Sequence, residues 1–278
     1  MTTPGTTPGK REDSAPAKVH RGMRPAGELP GPGGRSVTSR VLSVLDAFSG
    51  ERRRMSLSDI SRRTAMPLTT AYRLVSELVA WGALERDRDG RYQIGLRLWE
   101  VAALAPRGPG LREAAMPFLE DLYEATHQHV QLAVLDGADV VVLERISGRG
   151  SVGVRGRVGG RLPAHATGVG LVLLAYAPPE AQERYLAGPL VALTERTVAD
   201  PGRLRAVLAG VRRDGYAISD RQVQLDAVSV AAPVRDAAEG VVAALSVVVR
   251  AGDPQPGVLV PPVVAAARGV SRRLSSRA

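Results

Sequence analysis

The chain contains no cysteine, which excludes disulfides, thiolate zinc sites and a cysteine nucleophile and gives no sign of an oxidising compartment. Histidine is scarce as well. The four present, His20, His127, His129 and His165, show no HExxH or similar metal spacing. His127 and His129 stand two apart at a helix-to-strand junction and read as packing or surface residues. Neither a GxSxG elbow nor an SxxK pair occurs, and the carboxylates show no catalytic pairing that the sequence certifies. Gly148 to Gly153 spells G-x-G-x-x-G after a strand, but further glycines and a proline follow where a dinucleotide fingerprint must open a helix. That stretch is expected to be a loop, whose Arg149, Arg155, Arg157 and Arg161 attract an anion or are solvated. The expectation is a chain with no catalytic constellation, no metal and no cofactor. No apolar run approaches the ~20 residues of a membrane span, and the N-terminus lacks a signal peptide's apolar core, so a cytoplasmic protein without a membrane partner is expected.

What is present is positive charge, unevenly spread. The formal net charge is +9. Residues 1–100 hold 17 Lys and Arg against 11 Asp and Glu, while residues 101–278 hold 20 against 17. The polyanion-binding end is therefore the N-terminal one. Residues 1–35 are mostly Pro, Gly, Thr and Ser with scattered basic residues, too little apolar material to offset the entropy of ordering. A disordered basic tail is expected there, either a dispensable leader or an arm that touches DNA.

Residues 36–95 read as one small domain. A helix from near Ser36 carries Val37, Val41, Val44, Leu45 and Phe48 as a stripe. The stretch from Ser56 to Gly82 then gives two helices with a tight break. Ser58 is a candidate cap for the first, and Pro67 a candidate first residue of the second. In the second helix Ala71, Leu74, Val75, Leu78 and Val79 recur at 3-4 spacing, leaving Thr69, Thr70, Tyr72, Arg73 and Glu77 on the opposite face. Hydroxyls and a guanidinium near a helix N-terminus suit phosphates and major-groove base edges. After Leu84, the run ERDRDGRYQIG has a turn signal at Asp89-Gly90 between two short strands. A hairpin directly after such a helix is a wing, with Arg86, Arg88 and Arg91 placed to reach backbone phosphate. The pattern is a winged helix-turn-helix that binds double-stranded DNA.

Residues 96–110 read as a linker: an amphipathic helix over Leu96–Ala105, then RGPG as punctuation. Residues 111–278 mix hairpin strands with interspersed helices rather than alternating strand and helix, which argues an antiparallel α+β domain. Its strands are HVQLAVL and ADVVVLERI around Asp136-Gly137, then YAIS, AVSVAAPV and GVVAALSVVV, with a closing helix over Pro261–Ser275. Pro163 to Thr167 opens an apolar helix whose free N–H groups suit a small carboxylate or other anion. Asp220, Ser229 and Ser246 lie on or beside strands and are candidates to converge in an apolar cavity.

The order of these motifs resembles the IclR family of bacterial transcriptional regulators. The resemblance runs from about Ser36 to Leu274, through TAMPLTTAYRLVSELVAWGALERDRDGRYQIG, GGRLPAHATGVG, RRDGYAISD, VAAPVRD and VVAALSV. It implies a winged helix-turn-helix, a linker helix and a GAF-like effector domain. It also implies a homodimer or homotetramer that binds an operator palindrome, responds to a small-molecule effector and controls a neighbouring catabolic operon. Carried over by motif, the effector site falls on Leu162, Gly168, Val169, Asp220, Ser229 and Ser246, with Val154 from the loop. The chain departs from the family pattern in places. The usual GLPKST is Ala65-Met66-Pro67-Leu68-Thr69-Thr70, the usual Gly-Lys is Gly170-Leu171, and Arg221, Gln222 and Asp226 replace an acidic pair and a glycine. With Val248 after Ser246, these changes lean toward a less polar ligand. The rival reading is a metabolite-processing enzyme with a DNA-binding appendage, which the absence of a nucleophile, metal set or cofactor loop disfavours.

Overall fold

The computed structural model describes residues 36–105, 109–148, 153, 156–252 and 255–276. The expected tail over 1–35 lies outside the described residues, as do Arg149, Val154 and Arg155 of the loop and most of the G-x-G-x-x-G stretch.

Helix α1 (Val37–Asp46) begins where the Ser36 hydroxyl accepts from the Ser39 N–H. Helix α2 (Leu57–Thr64) is capped by Ser56, not by Ser58 as the sequence suggested. The reason is the residue three places on. Ser56 has Asp59 there, so both bonds of a capping box close, Asp59 N–H to Ser56 Oγ at 3.2 Å and Ser56 N–H to Asp59 Oδ2 at 3.3 Å, whereas Ser58 has only Ser61. Those bonds hold the Asp59 carboxyl below its usual range. The helix ends at Ala65, whose φ of 52° is left-handed. A Cβ there costs about 1–2 kcal/mol. The turn persists because Met66 N–H donates to Ser61 O at 3.1 Å, Ser61 Oγ donates to Met66 O at 2.7 Å, and the Met66 side chain is buried. Pro67 flanks helix α3 (Leu68–Trp81) rather than starting it, a shift of one position.

Strands β1 (Leu84–Arg86) and β2 (Tyr92–Ile94) pair antiparallel, Leu84 opposite Ile94. Met55 adds a rung on the far side of β2, donating to Tyr92 O at 2.9 Å and accepting from its N–H at 2.7 Å. Val44, Met55, Ile60, Leu74, Val75 and Leu84 form the shared core, which locks hairpin and helices into one winged unit. Helix α4 (Leu96–Ala102) follows at once, and Glu85 of β1 caps it by accepting from Leu96 N–H at 3.0 Å. That bond and one from Gln93 lower the Glu85 carboxyl's pKa.

Helix α5 (Pro109–Thr126) starts inside the expected RGPG punctuation, since a proline suits a first helical turn. Six strands then form one fully antiparallel sheet: β3 (His129–Asp136), β4 (Asp139–Ile146), β5 (Arg161–Pro163), β6 (Ala217–Asp220), β7 (Ala227–Arg235) and β8 (Val241–Arg250). Their order across the sheet is β5-β4-β3-β8-β7-β6. The edge strand β5 is too short for the sequence pattern to show. Alternation divides the sheet's two faces. Val130, Leu132, Val228, Val230, Leu245 and Val247 pack with α5 and with helix α9 (Pro256–Ser275). Ala133, Ala231 and Ala244 face helix α6 (Gly168–Ala175), which helix α8 (Pro201–Asp214) covers, beside helix α7 (Pro179–Leu186). Every residue of α6 is buried, which explains why that helix is apolar all round. Helix α9 begins five residues before the expected Pro261 and runs through Pro261 and Pro262. The hydrogen bonds lost at those prolines are offset by burial of Leu259, Val263, Ala267 and Val270 against the sheet.

Candidate functional site

Two places carry functional chemistry. The first is the surface of the winged unit. On α3, Thr69, Tyr72 and Arg73 are exposed, Thr70 is half-buried, and the buried stripe is Ala71, Leu74, Val75 and Leu78 with Val79 partly covered. Arg73 Nη1 lies 3.3 Å from Glu77 Oε1 one turn on, a surface pair worth about 0.3–0.5 kcal/mol. So weak a partner yields readily to a base edge or phosphate.

At the hairpin tip Asp87 is the organiser. Its backbone N–H donates to Arg91 O at 2.8 Å, its carboxylate accepts from the N–H groups of Asp89 and Arg91 at 3.0 and 2.9 Å, and Gly90 supplies a φ of 76°. Arg88 and Arg91 stand exposed on this frame. Arg86 does not reach outward in the same way. Its Nε donates to Gly90 O at 3.4 Å and its guanidinium lies 5.7 Å from the centre of the Tyr92 ring.

The second place is a cavity on the α6 face of the sheet, about 40 Å³ in volume and partly open to solvent. Five of the expected effector residues meet there: Leu162, Gly168, Val169, Ser229 and Ser246. Asp220 does not. On β6 burial alternates, so Ala217 and Ser219 face inward, while Asp220 is exposed with its carboxylate 3.8 Å from Arg221. The placement of Asp220 in the cavity is therefore corrected to Ser219, its neighbour on the other side of the pleat. Val154 falls outside the described residues. Gln131, Thr167 and Gln224 also line the cavity and were missed. For Ser219 and Gln131 a signal existed. Ile218 and Asp220 share a face, which turns Ser219 inward, and Gln131 alternates with the apolar Val130 and Leu132.

The N-terminus of α6 is the polar end of the cavity. Thr167 caps it, accepting from Gly170 N–H at 3.0 Å. The Gly168 N–H, expected to be free, donates to Ser229 Oγ at 3.2 Å. This leaves the Ser229 hydroxyl hydrogen able to point elsewhere. Among the described residues the Val169 N–H makes no hydrogen bond, so one backbone donor, one hydroxyl and the positive helix end face the cavity together. The rest of the lining is mostly apolar, with Val140, Val142, Leu162, Val223, Val228 and Val248 beside Gln131, Ser219, Gln224 and Ser246, and holds no ionised side chain among the described residues.

The turn before α6 is held from behind. Ser219 Oγ donates to Ala166 O at 2.7 Å, and Tyr185 Oη accepts from the His165 N–H at 3.0 Å. His165 Nε2 lies 3.0 Å from Val191 O, an acceptor only, so Nε2 carries the proton and Nδ1 accepts from Tyr185 Oη at 2.8 Å. Burial lowers the His165 pKa and raises that of Tyr185 to about 12. The sign for stability follows. The unfolded chain takes up a proton near pH 6.5 and the folded one only lower, so this term is full above about 6.5 and falls as pH drops below it. Melting temperatures between pH 7.5 and 5.5 should decline more steeply in the wild type than in His165→Asn. Equal slopes would remove the assignment.

The architecture defines a class: a DNA-binding winged helix-turn-helix followed by an antiparallel domain with a small-ligand cavity. Residues 107–272 match the family model described as bacterial transcriptional regulator IclR C-terminal, and residues 37–88 match the IclR helix-turn-helix domain. The chain belongs to the IclR family of bacterial transcriptional regulators. It is 31% identical to the HTH-type transcriptional regulator XynR of Escherichia coli over 209 residues, 74% of this chain and 83% of that one. It is also 31% identical to the Pca regulon regulatory protein of Pseudomonas putida over 217 residues, 77% and 74% of the two chains. The crystal structure of an IclR homologue complexed with 4-hydroxybenzoate, from Microbacterium hydrocarbonoxydans, superposes with a TM-score of 0.82 at 39% identity, covering 87% of this chain and all of that one. The protein is a DNA-binding transcriptional regulator that responds to a small-molecule effector, and not an enzyme.

Proposed function

We propose that this regulator senses an aromatic or similarly compact apolar monocarboxylate. The observation that carries this is the polar end of the cavity: the Val169 N–H and Ser229 hydroxyl at the α6 N-terminus, opening onto a mostly apolar lining. A helix end of this kind holds one negative charge. With no cationic side chain among the described lining residues, a second carboxylate finds no partner there and its burial would be costly. The 4-hydroxybenzoate bound by the Microbacterium homologue belongs to the same chemical class.

In this reading residues 36–95 bind DNA through Thr69, Thr70, Tyr72, Arg73, Arg88 and Arg91, and residues 111–278 bind the effector. Two copies join through apolar faces that this single chain leaves open on α1, where Val37 is 52% exposed, and on α4, where Trp99 is 62% exposed. A two-fold dimer demands a pseudo-palindromic operator. The effector acts by favouring one spacing of the two winged units over another. A cytoplasmic regulator beside a catabolic operon fits such a ligand.

Calorimetry of the full-length protein with benzoate and 4-hydroxybenzoate tests the site. Binding at micromolar to millimolar concentration is expected, weakened by about 1–3 kcal/mol in Ser229→Ala. If the wild type binds neither compound, or Ser229→Ala binds both as tightly as the wild type, the reading fails.

A further inference from the structure

Gln131 stands on β3 opposite Ser246 of β8, both turned toward the α6 face. Its side chain is buried at 4% exposure, and its Nε2 finds no hydrogen-bond partner among the described residues. A buried amide N–H without an acceptor is costly, and few survive in a folded protein unless something else uses them. Beside Gln131, Ser246 is 1% exposed and lines the same cavity. From β7, where Ser229 holds the helix end, to β3, where Gln131 stands, are two strand spacings, roughly 10 Å. Valines and Leu162 fill the cavity wall around these groups.

We infer that Gln131 reads a second, uncharged oxygen on the effector, at the end of the molecule remote from the carboxylate. This rests on the monocarboxylate reading above and adds to it. The Gln131 amide is a neutral donor, so it selects a hydroxyl or carbonyl oxygen. Ser246 Oγ is placed to accept the hydrogen of a hydroxyl, which completes that group's bonding. The distance between the two polar ends suits a six-membered ring with substituents at opposite positions, and a rigid body makes the second contact selective. The effector class is then a para-hydroxy- or para-oxo-substituted cyclic monocarboxylate. The orphaned amide in the empty protein is the stability cost of this discrimination.

The test measures binding of benzoate, 4-hydroxybenzoate and terephthalate by full-length wild type and Gln131→Leu, with melting temperatures of both proteins without ligand. The wild type should bind 4-hydroxybenzoate at least about tenfold more tightly than benzoate and should reject terephthalate, whose second charge finds no cation among the described lining residues. Gln131→Leu should bind the two monocarboxylates about equally and melt no lower than the wild type because it removes an unpaired buried group. Equal affinities in the wild type, or a loss in Gln131→Leu that falls on both ligands alike, would overturn the role of Gln131 while leaving the carboxylate site standing. If the wild type binds neither monocarboxylate, the site itself is wrong and this inference falls with it.

Discussion

Gly170→Ala is expected to destabilise the effector domain by about 3 kcal/mol or more, although helix propensity alone predicts the opposite sign. Alanine is favoured over glycine inside a helix by about 1 kcal/mol. Against that, a Cβ at position 170 would stand 2.1 Å from Ala164 O, 2.5 Å from Ala164 Cα and 2.6 Å from Ala164 C. These are backbone atoms, and they cannot swing aside. The turn that carries them is bonded through Ala166 O to Ser219 and through His165 to Tyr185. The other way out is for α6 to move, but all eight of its residues are buried between sheet and helix, so any shift opens voids on both sides. Overpacking therefore outweighs propensity. The expected signature is a drop in melting temperature of roughly 6–12 °C for a domain of this size. Gly168→Ala makes the control. Its Cβ would meet Ser229 Oγ at 2.7 Å, a side-chain atom in the cavity, so effector affinity should fall more than stability does. A Gly170→Ala protein that melts at or above the wild type would show that the turn and α6 are not rigidly docked.

That contrast bears on how far the sequence could be read. Helices α3 and α8 were legible because each buries one stripe, and strands β3, β4, β7 and β8 because they are short apolar runs rich in β-branched residues and bounded by turn signals. Pattern fails to orient an element whose sides are all buried. Helix α6 is apolar throughout, so nothing in its composition says which face meets the sheet, or that the free N–H at its start belongs to Val169 rather than Gly168. The Gly168 N–H is taken by Ser229, 61 positions later in the chain, a partner that only the fold brings close. Asp220 was misplaced for a different reason. A motif transfers a residue's neighbourhood but not its side of the pleat, and one residue's shift moves a side chain to the opposite face. Gln131 was legible in principle, since a glutamine alternating with buried apolar residues must face something polar. What it faces depends on strands β7 and β8 and on the helix end across the cavity, all distant in sequence.

On DNA, Arg73→Ala is expected to lower affinity for the specific operator by about 1–3 kcal/mol and to relax discrimination at one base position, with little effect on unrelated DNA. The side chain stands exposed on the open face of α3, and its ion-pair partner, Glu77, is too weakly held to compete with a guanine edge. Arg88 predicts a different pattern. It projects from the tip that Asp87 builds and meets no base-reading element, so Arg88→Ala should weaken all sequences alike and reduce the slope of log affinity against log salt by ~0.9 for one lost phosphate contact. Arg86 separates folding from binding. Because it folds back on Gly90 and Tyr92, Arg86→Ala should lower the winged unit's stability more than it lowers DNA affinity. Fluorescence anisotropy with specific and scrambled duplexes at three salt concentrations resolves all three variants. If Arg73→Ala weakens both duplexes equally, with the salt slope reduced by about one phosphate, then Arg73 holds the backbone and another residue of α3, Thr69 or Tyr72, reads the base.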